Sequence, residues 1–197
     1  MFRERNRYSD FIEKERKFND VTEFSATKHR AGLTYHFGID FGTTNSATVA
    51  FIKGAAGIDA REVSFGDAMG RPIPSVVAID KKSGQVYTGR EAWDKKLELS
   101  ESCEYISSIK TIIEKEEVYH IAGREWSTTD IASRVFLGLR EKAREQHNVI
   151  ISEATVAIPV GMAPEKRRKI REAAGKAGIE ITSFVSEPTA AFYANYP

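Results

Sequence analysis

At 197 residues, with 41% hydrophobic and 29% charged side chains, the chain is long enough to form one domain of ordinary size, or one lobe of something larger, around a buried core. A net charge of +1 argues against a nucleic-acid binder held by bulk electrostatics, and a single cysteine, Cys103, excludes an internal disulfide and any cysteine cluster for zinc or iron–sulfur. No apolar run approaches the ~20 residues that span a bilayer. The charged first thirty residues lack the apolar centre of a signal peptide, so a reducing, cytoplasmic location without a membrane partner is expected.

In chain order, residues 1–33 stand apart. Within 1–30 there are eight Lys/Arg and six Asp/Glu, with Phe2, Phe11, Ile12, Phe18, Val21 and Phe24 scattered among them. Their spacing is only partly helical, which fits a solvated helix, a mobile arm or a partner-binding segment better than a core element. From Leu33 the pattern turns to strands. Tyr35, Phe37 and Ile39 alternate with His36 and Gly38 and deliver Asp40 into a Gly-Thr-Thr-Asn turn. Ala47–Ile52 then resumes as a second strand, so a hairpin is expected.

A short strand over Glu62–Phe65 follows, then one over Ser75–Ile79, an Asp-Lys-Lys-Ser-Gly turn and a strand over Gln85–Thr88. Gly89 opens a helix expected to run through Leu99, with Trp93 and Leu97 on one side; residues 102–119 read as helix or irregular structure. Thr128–His147 is the clearest helix, because Ile131, Val135, Leu139 and Ala143 recur at four-residue steps behind Ser127 or Thr128 as the cap. Ala154–Ile158 reads as a buried strand ended by Pro159. Pro164–Ala177 reads as a helix with proline at its start, Gly178 past its end and a stripe of Ile170, Ala173, Ala174 and Ala177. Strand Ile179–Val185 leads through Ser186-Glu187-Pro188 into a last helix, Thr189–Tyr196. Hairpins followed by α–β–α–β–α imply an α/β fold, a mixed sheet flanked by helices.

The hairpin tip carries the chemistry. Backbone N–H groups over Gly42, Thr43, Thr44 and Asn45, joined by the two threonine hydroxyls, suit a concave anion site. Asp40 beside it would repel a bare phosphate but not one carrying magnesium. The same residues are also ordinary turn chemistry, so the tip alone leaves both readings open. Elsewhere, His29, His36, His120 and His147 show no metal-ligand spacing. Cys103 fits a small core residue, and the basic run Lys166–Lys169 with Arg171 reads as a solvated helix face, with phosphate binding there as the lesser alternative.

Three tracts, in order, resemble the actin-like ATPase superfamily and most of all the DnaK-type (heat shock protein 70) chaperones. Gly38–Ser46 is similar to that family's first phosphate loop, and Arg71–Ile79 to the segment entering its upper subdomain. Ala157-Ile158-Pro159 through Ser186-Glu187-Pro188-Thr189-Ala190-Ala191 is similar to its connecting strand–helix–strand–helix unit. Ser107–Ile113 resembles the segment bearing an essential lysine, which points to Lys110, with Lys115 as a competitor.

The resemblance implies a ribonuclease H-like, actin-like ATPase lobe over residues 34–197. Its core would be 34–72 plus 126–197, and a small inserted subdomain would span 73–125. It further implies ATP/ADP and Mg2+ as ligands, with Gly42, Thr43, Thr44 and Asn45 on the phosphates and Asp40 on the metal. Lys110 would act at the reacting phosphate, Glu187 at a water, Pro159 as a switch and Arg167 as its relay. Client proteins, a J-domain co-chaperone and a nucleotide exchange factor would be the partners.

Two departures qualify it. The span between Lys110 and Pro159 is shorter than is usual in that family, which implies a trimmed upper subdomain. Val160-Gly161-Met162 with Pro164–Arg168 is reminiscent of the bacterial cell-shape actins, so a filament-forming relative or a non-catalytic interaction module is an alternative. The chain has no Gly-Gly dipeptide, its only Asp-x-Gly is Asp40-Phe41-Gly42, and a Gly-x-x-x-x-Gly-Lys-Ser/Thr loop is missing. One lobe, a fragment of the two-lobed design, is therefore expected, and by itself it should bind nucleotide weakly and be inactive.

Overall fold

The computed structural model describes residues 33–54, 61–65 and 71–195. The expected extension over 1–33 lies outside them, except for Leu33, which opens the first strand. In chain order the strands begin with β1 (Leu33–Asp40), β2 (Asn45–Gly54), β3 (Arg61–Phe65), β4 (Ile73–Pro74), β5 (Val77–Asp80) and β6 (Val86–Thr88). Two short helices, α1 (Gly89–Asp94) and α2 (Lys96–Ser102), lead to β7 (Cys103–Ile106) and α3 (Ile109–Ile112). After the hairpin of β8 (Val118–Ile121) and β9 (Arg124–Ser127) come α4 (Thr128–His147), β10 (Glu153–Ile158), α5 (Pro164–Lys176), β11 (Glu180–Ser186) and α6 (Glu187–Asn195).

The expected first hairpin forms: β1 and β2 pair antiparallel from Leu33 opposite Gly54 to Asp40 opposite Ala47. β3 adds antiparallel to β2, while β10 lies parallel to β1 and β11 parallel to β10. The sheet order is β11-β10-β1-β2-β3, with β4 also on β2, so the sheet is mixed as its alternating patterns implied. A separate three-stranded sheet, β6-β5-β7, grows from the middle of the chain. Its central strand is buried on both faces: Val77 and Ile79 join the main core, whereas Val76 and Ala78 pack with Ala92, Leu99 and Cys103. Cys103 is thus the small buried residue its isolation suggested.

Helix α4 starts where the sequence places it. Ser127 Oγ accepts from the Asp130 amide at 3.1 Å, and Asp130 Oδ2 accepts from the Ser127 amide at 2.9 Å, a reciprocal capping box. Its stripe of Ile131, Val135, Leu139 and Ala143 is buried to 3% exposure or less. Each fully buried aliphatic side chain of this kind is worth ~1.5–3 kcal/mol. Helix α5 ends in a Schellman motif: Gly178 adopts φ +73, and the Ile179 amide donates to the Ala174 carbonyl at 2.9 Å. α4 and α5 pack together, α4 also against β2 and β3 and α5 against β11.

Two expectations need correction. The helix expected over 89–99 is broken at Lys95, because α1 covers β4 and β6 whereas α2 turns to cover β7 at the far edge of the small sheet. Residues 102–119 hold the short helix α3, as expected, but also β7 and the start of β8. Four-residue strands are too short to display a period, and their ladders to β5 and β9 are supplied by the tertiary structure.

Candidate functional site

Three of the singled-out residues stand at one edge of the main sheet for a topological reason. β1, β10 and β11 are parallel neighbours, so their carboxyl ends lie side by side, about 4.8 Å apart per strand. Asp40 is the last residue of β1, Pro159 follows β10 and Glu187 follows β11. The sheet switches here from the β10 side to the β2 side, and ligands of open α/β sheets bind outside such a switch point.

The loop after Asp40 is anchored from below. Phe41 is fully buried and its ring lies against Phe136 of α4, with centroids 4.8 Å apart. Asp40 and Gly42, on either side of this inward side chain, therefore stay at the surface edge. A Cβ on Gly42 would run into the Asn45 carbonyl oxygen, so the turn closes this tightly only with glycine. Beyond it, the Ser75 amide donates to the Thr44 carbonyl at 2.8 Å, and the buried Ser46 and Ser75 hydroxyls lie 2.8 Å apart. The loop is fixed at both ends.

Helix α3 brings Lys110 to the same place from the inserted region. Its start is bent by Ser108 in the left-handed conformation (φ 54), an uncommon backbone for a residue with a side chain. Ile109 and Ile113 are completely buried and hold the helix down. Lys110, 7% exposed, donates from Nζ to Glu187 Oε1 at 2.8 Å. Between these elements lies an open hollow of about 400 Å³ lined by Asp40, Gly42, Thr43, Lys110, Thr111, Pro159, Lys166 and Glu187.

Asp40 is reachable from solvent, yet the packed sheet end removes water from one side of its carboxyl. Burial pushes its pKa up, Lys110 opposes the shift and Glu187 adds to it. Among the described residues no group of three or more His, Cys, Asp or Glu side chains could hold a metal.

The structure thus brings together Asp40, Gly42, Thr43, Lys110, Pro159 and Glu187. Thr44 and Asn45 are exposed and do not line the hollow: Asn45 opens β2, opposite Pro74. Arg167 is half-buried on α5, also off the hollow. The basic run departs from the solvated face expected of it. Lys169 is buried and donates to the Glu114 carbonyl at 3.0 Å, and Lys166 enters the wall of the hollow. Thr111 and the anchoring role of Phe41 have no signal in the sequence, and the sequence does not single out Lys166 within its basic run. The only signal for the lysine was its place in the first turn of a helix after Pro159.

Residues 110–195 match the family model described as Hsp70 protein. This part of the chain is similar to Hsp70 proteins. The Hsp70 segment begins at Lys110 itself and contains Pro159, Lys166, Arg167 and Glu187, so it spans one wall of the hollow. The Asp40–Asn45 turn precedes it and supplies the other wall. No helix among the described residues is long and apolar enough to cross a membrane.

Proposed function

We propose that the chain is an ATP-binding lobe of an Hsp70-like chaperone ATPase, with the hollow as its phosphate and Mg2+ site. The observation that carries the reading is the convergence of Asp40, Lys110 and Glu187, seventy-seven residues apart at the last two, around one hollow with a glycine turn at its mouth. The strand order, with β2 alone opposed to its neighbours, is the arrangement expected of a ribonuclease H-like, actin-like lobe. The β6-β5-β7 sheet and most of the β8–β9 hairpin would then belong to an inserted subdomain over 73–125, with 34–72 plus 126–197 as the core. The Hsp70 match runs through Val160–Arg168, the tract that favoured a filament protein, and weighs toward the chaperone.

In this reading the Gly42 and Thr43 amides and the Thr43 hydroxyl cradle phosphate oxygens, with Thr44 and Asn45 completing the turn. Asp40 would hold the Mg2+ ion. Bound Mg2+ would neutralise phosphate charge in the transition state. Lys110 leaves Glu187 to meet the reacting phosphate, which frees Glu187 to orient or deprotonate the attacking water. Pro159, at the end of β10, lies where a change at the phosphate would reach α5, and Arg167 on that helix is the relay. Coupling of this cycle to client proteins, a J-domain co-chaperone and an exchange factor in the cytoplasm is what the resemblance to Hsp70 proteins implies. An open hollow leaves the ligand solvated on one side, so binding by this chain is expected to be weak and turnover negligible.

The test is an equilibrium titration of the chain with ATP, with and without Mg2+. Saturable binding that requires Mg2+ and weakens in Lys110→Ala supports the proposal. Equal binding by wild type and Lys110→Ala, or tight metal-free binding, contradicts it.

A further inference from the structure

Two cations line the hollow, and each rests on a carboxylate. Lys110 lies 2.8 Å from Glu187, and Lys166 lies 2.8 Å from Glu114. The proposed function uses only the first. Asp40 and Glu187 place two carboxylates in the hollow; even with Mg2+ on Asp40, Lys110 alone would have to offset Glu187 and also meet a polyphosphate. We infer that Lys166 is a second phosphate-facing cation, parked on Glu114 when the hollow is empty and drawn to the phosphate chain when it is filled. This rests on the nucleotide reading above and adds a residue and a resting partner to it.

The geometry favours transfer over a fixed brace. The Lys166 side chain is 17% exposed and sits in the wall, whereas the Glu114 side chain is 53% exposed at the rim. Water screens the rim partner, so the resting pair is a weak restraint. A phosphate chain deeper in the hollow offers more negative charge in a less watery place. Glu114 itself does not follow the lysine. Buried Lys169 donates to its main-chain carbonyl at 3.0 Å, which keeps the carboxylate where it can recapture Lys166 after release. Both lysines leave α5 on the side of the segment that follows α3, so one helix supplies the mobile cation and fixes its parking place.

The two ends of the pair then give opposite results, and a structural brace would not. The full chain is titrated with Mg-ATP and with Mg-tripolyphosphate, which lacks the nucleoside. Lys166→Gln is expected to weaken both about tenfold, the loss of one charge-assisted hydrogen bond at a partly exposed site. Lys166→Arg should recover most of that loss, and Glu114→Gln, which removes the competitor, should tighten both ligands severalfold. Unchanged affinity in Lys166→Gln overturns the inference. So does weakening by both Lys166→Gln and Glu114→Gln, which would mark the pair as a brace. Either result leaves the nucleotide reading standing, provided that wild type binds. Failure of wild type to bind either ligand overturns both.

Discussion

Asp40 shows how one residue is placed by opposing demands. Its neighbour Phe41 is fully buried against Phe136, which fixes the backbone and obliges the carboxyl to stand at the sheet edge. Because burial raises its pKa, the folded chain holds that proton to higher pH than the unfolded chain does. The contribution to stability is therefore present at low pH and is lost as pH rises through the folded value. Asp40→Asn should give a slightly higher melting temperature than wild type at neutral pH, a difference that shrinks on acidification, together with loss of the Mg2+ requirement for ATP binding. A melting curve unchanged at every pH would deny that the site stores this cost. Phe41→Ala should lose ~3–5 kcal/mol in urea denaturation, the price of a large buried cavity; a loss below ~1 kcal/mol would deny that the ring anchors the loop.

At the scale of elements, the seam between α4 and α5 decides whether the two walls of the hollow stay in register. Lys176 at the end of α5 reaches Asp130 Oδ1 at 2.9 Å and Glu172 at 3.0 Å, while Thr129 Oγ1 donates to Glu172 at 2.7 Å. Burial would raise the Asp130 pKa, but hydrogen bonds from Ser127 and Lys176 outweigh it and hold the carboxyl below its usual value. Its stabilisation is thus present above the unfolded pKa and disappears as pH falls through the folded one. Asp130→Asn should destabilise the chain by ~1 kcal/mol near neutral pH, in the range of capping losses. Denaturation at acidic pH should show wild type and variant converging; a gap that persists in acid would mean that the charge is not what stabilises.

Elements with long periods were legible in the sequence for this reason. The four-residue recurrence in α4, the proline start and glycine stop of α5 and the alternation of β1 are local signals that the core reinforces. β7 and the break at Lys95 were not legible, because a four-residue strand and a turn between two short helices are dictated by the sheet they cover.

For the whole molecule, the candidate site was partly legible. Glycine, threonines and one carboxylate at a hairpin tip state their chemistry locally, and the resemblance named Lys110 and Glu187. Their meeting is a property of strand order, since only parallel β1, β10 and β11 bring Asp40, Pro159 and Glu187 to one edge. Lys166 was hidden for the opposite reason. In a run of four basic residues nothing in the sequence tells which one turns inward; burial of Ile170 and the tie of Lys169 to Glu114 decide it.

The most direct test of the shared hollow is a two-dimensional amide NMR titration of the chain with Mg-ATP at millimolar concentrations, where weak binding still registers. Gly42, Thr43, Lys110, Thr111 and Glu187 are expected to shift together along one saturation curve, with the outer helices α1 and α2 unmoved. Shifts confined to another surface, or to the loop after Asp40 without Lys110 and Glu187, would contradict the shared hollow.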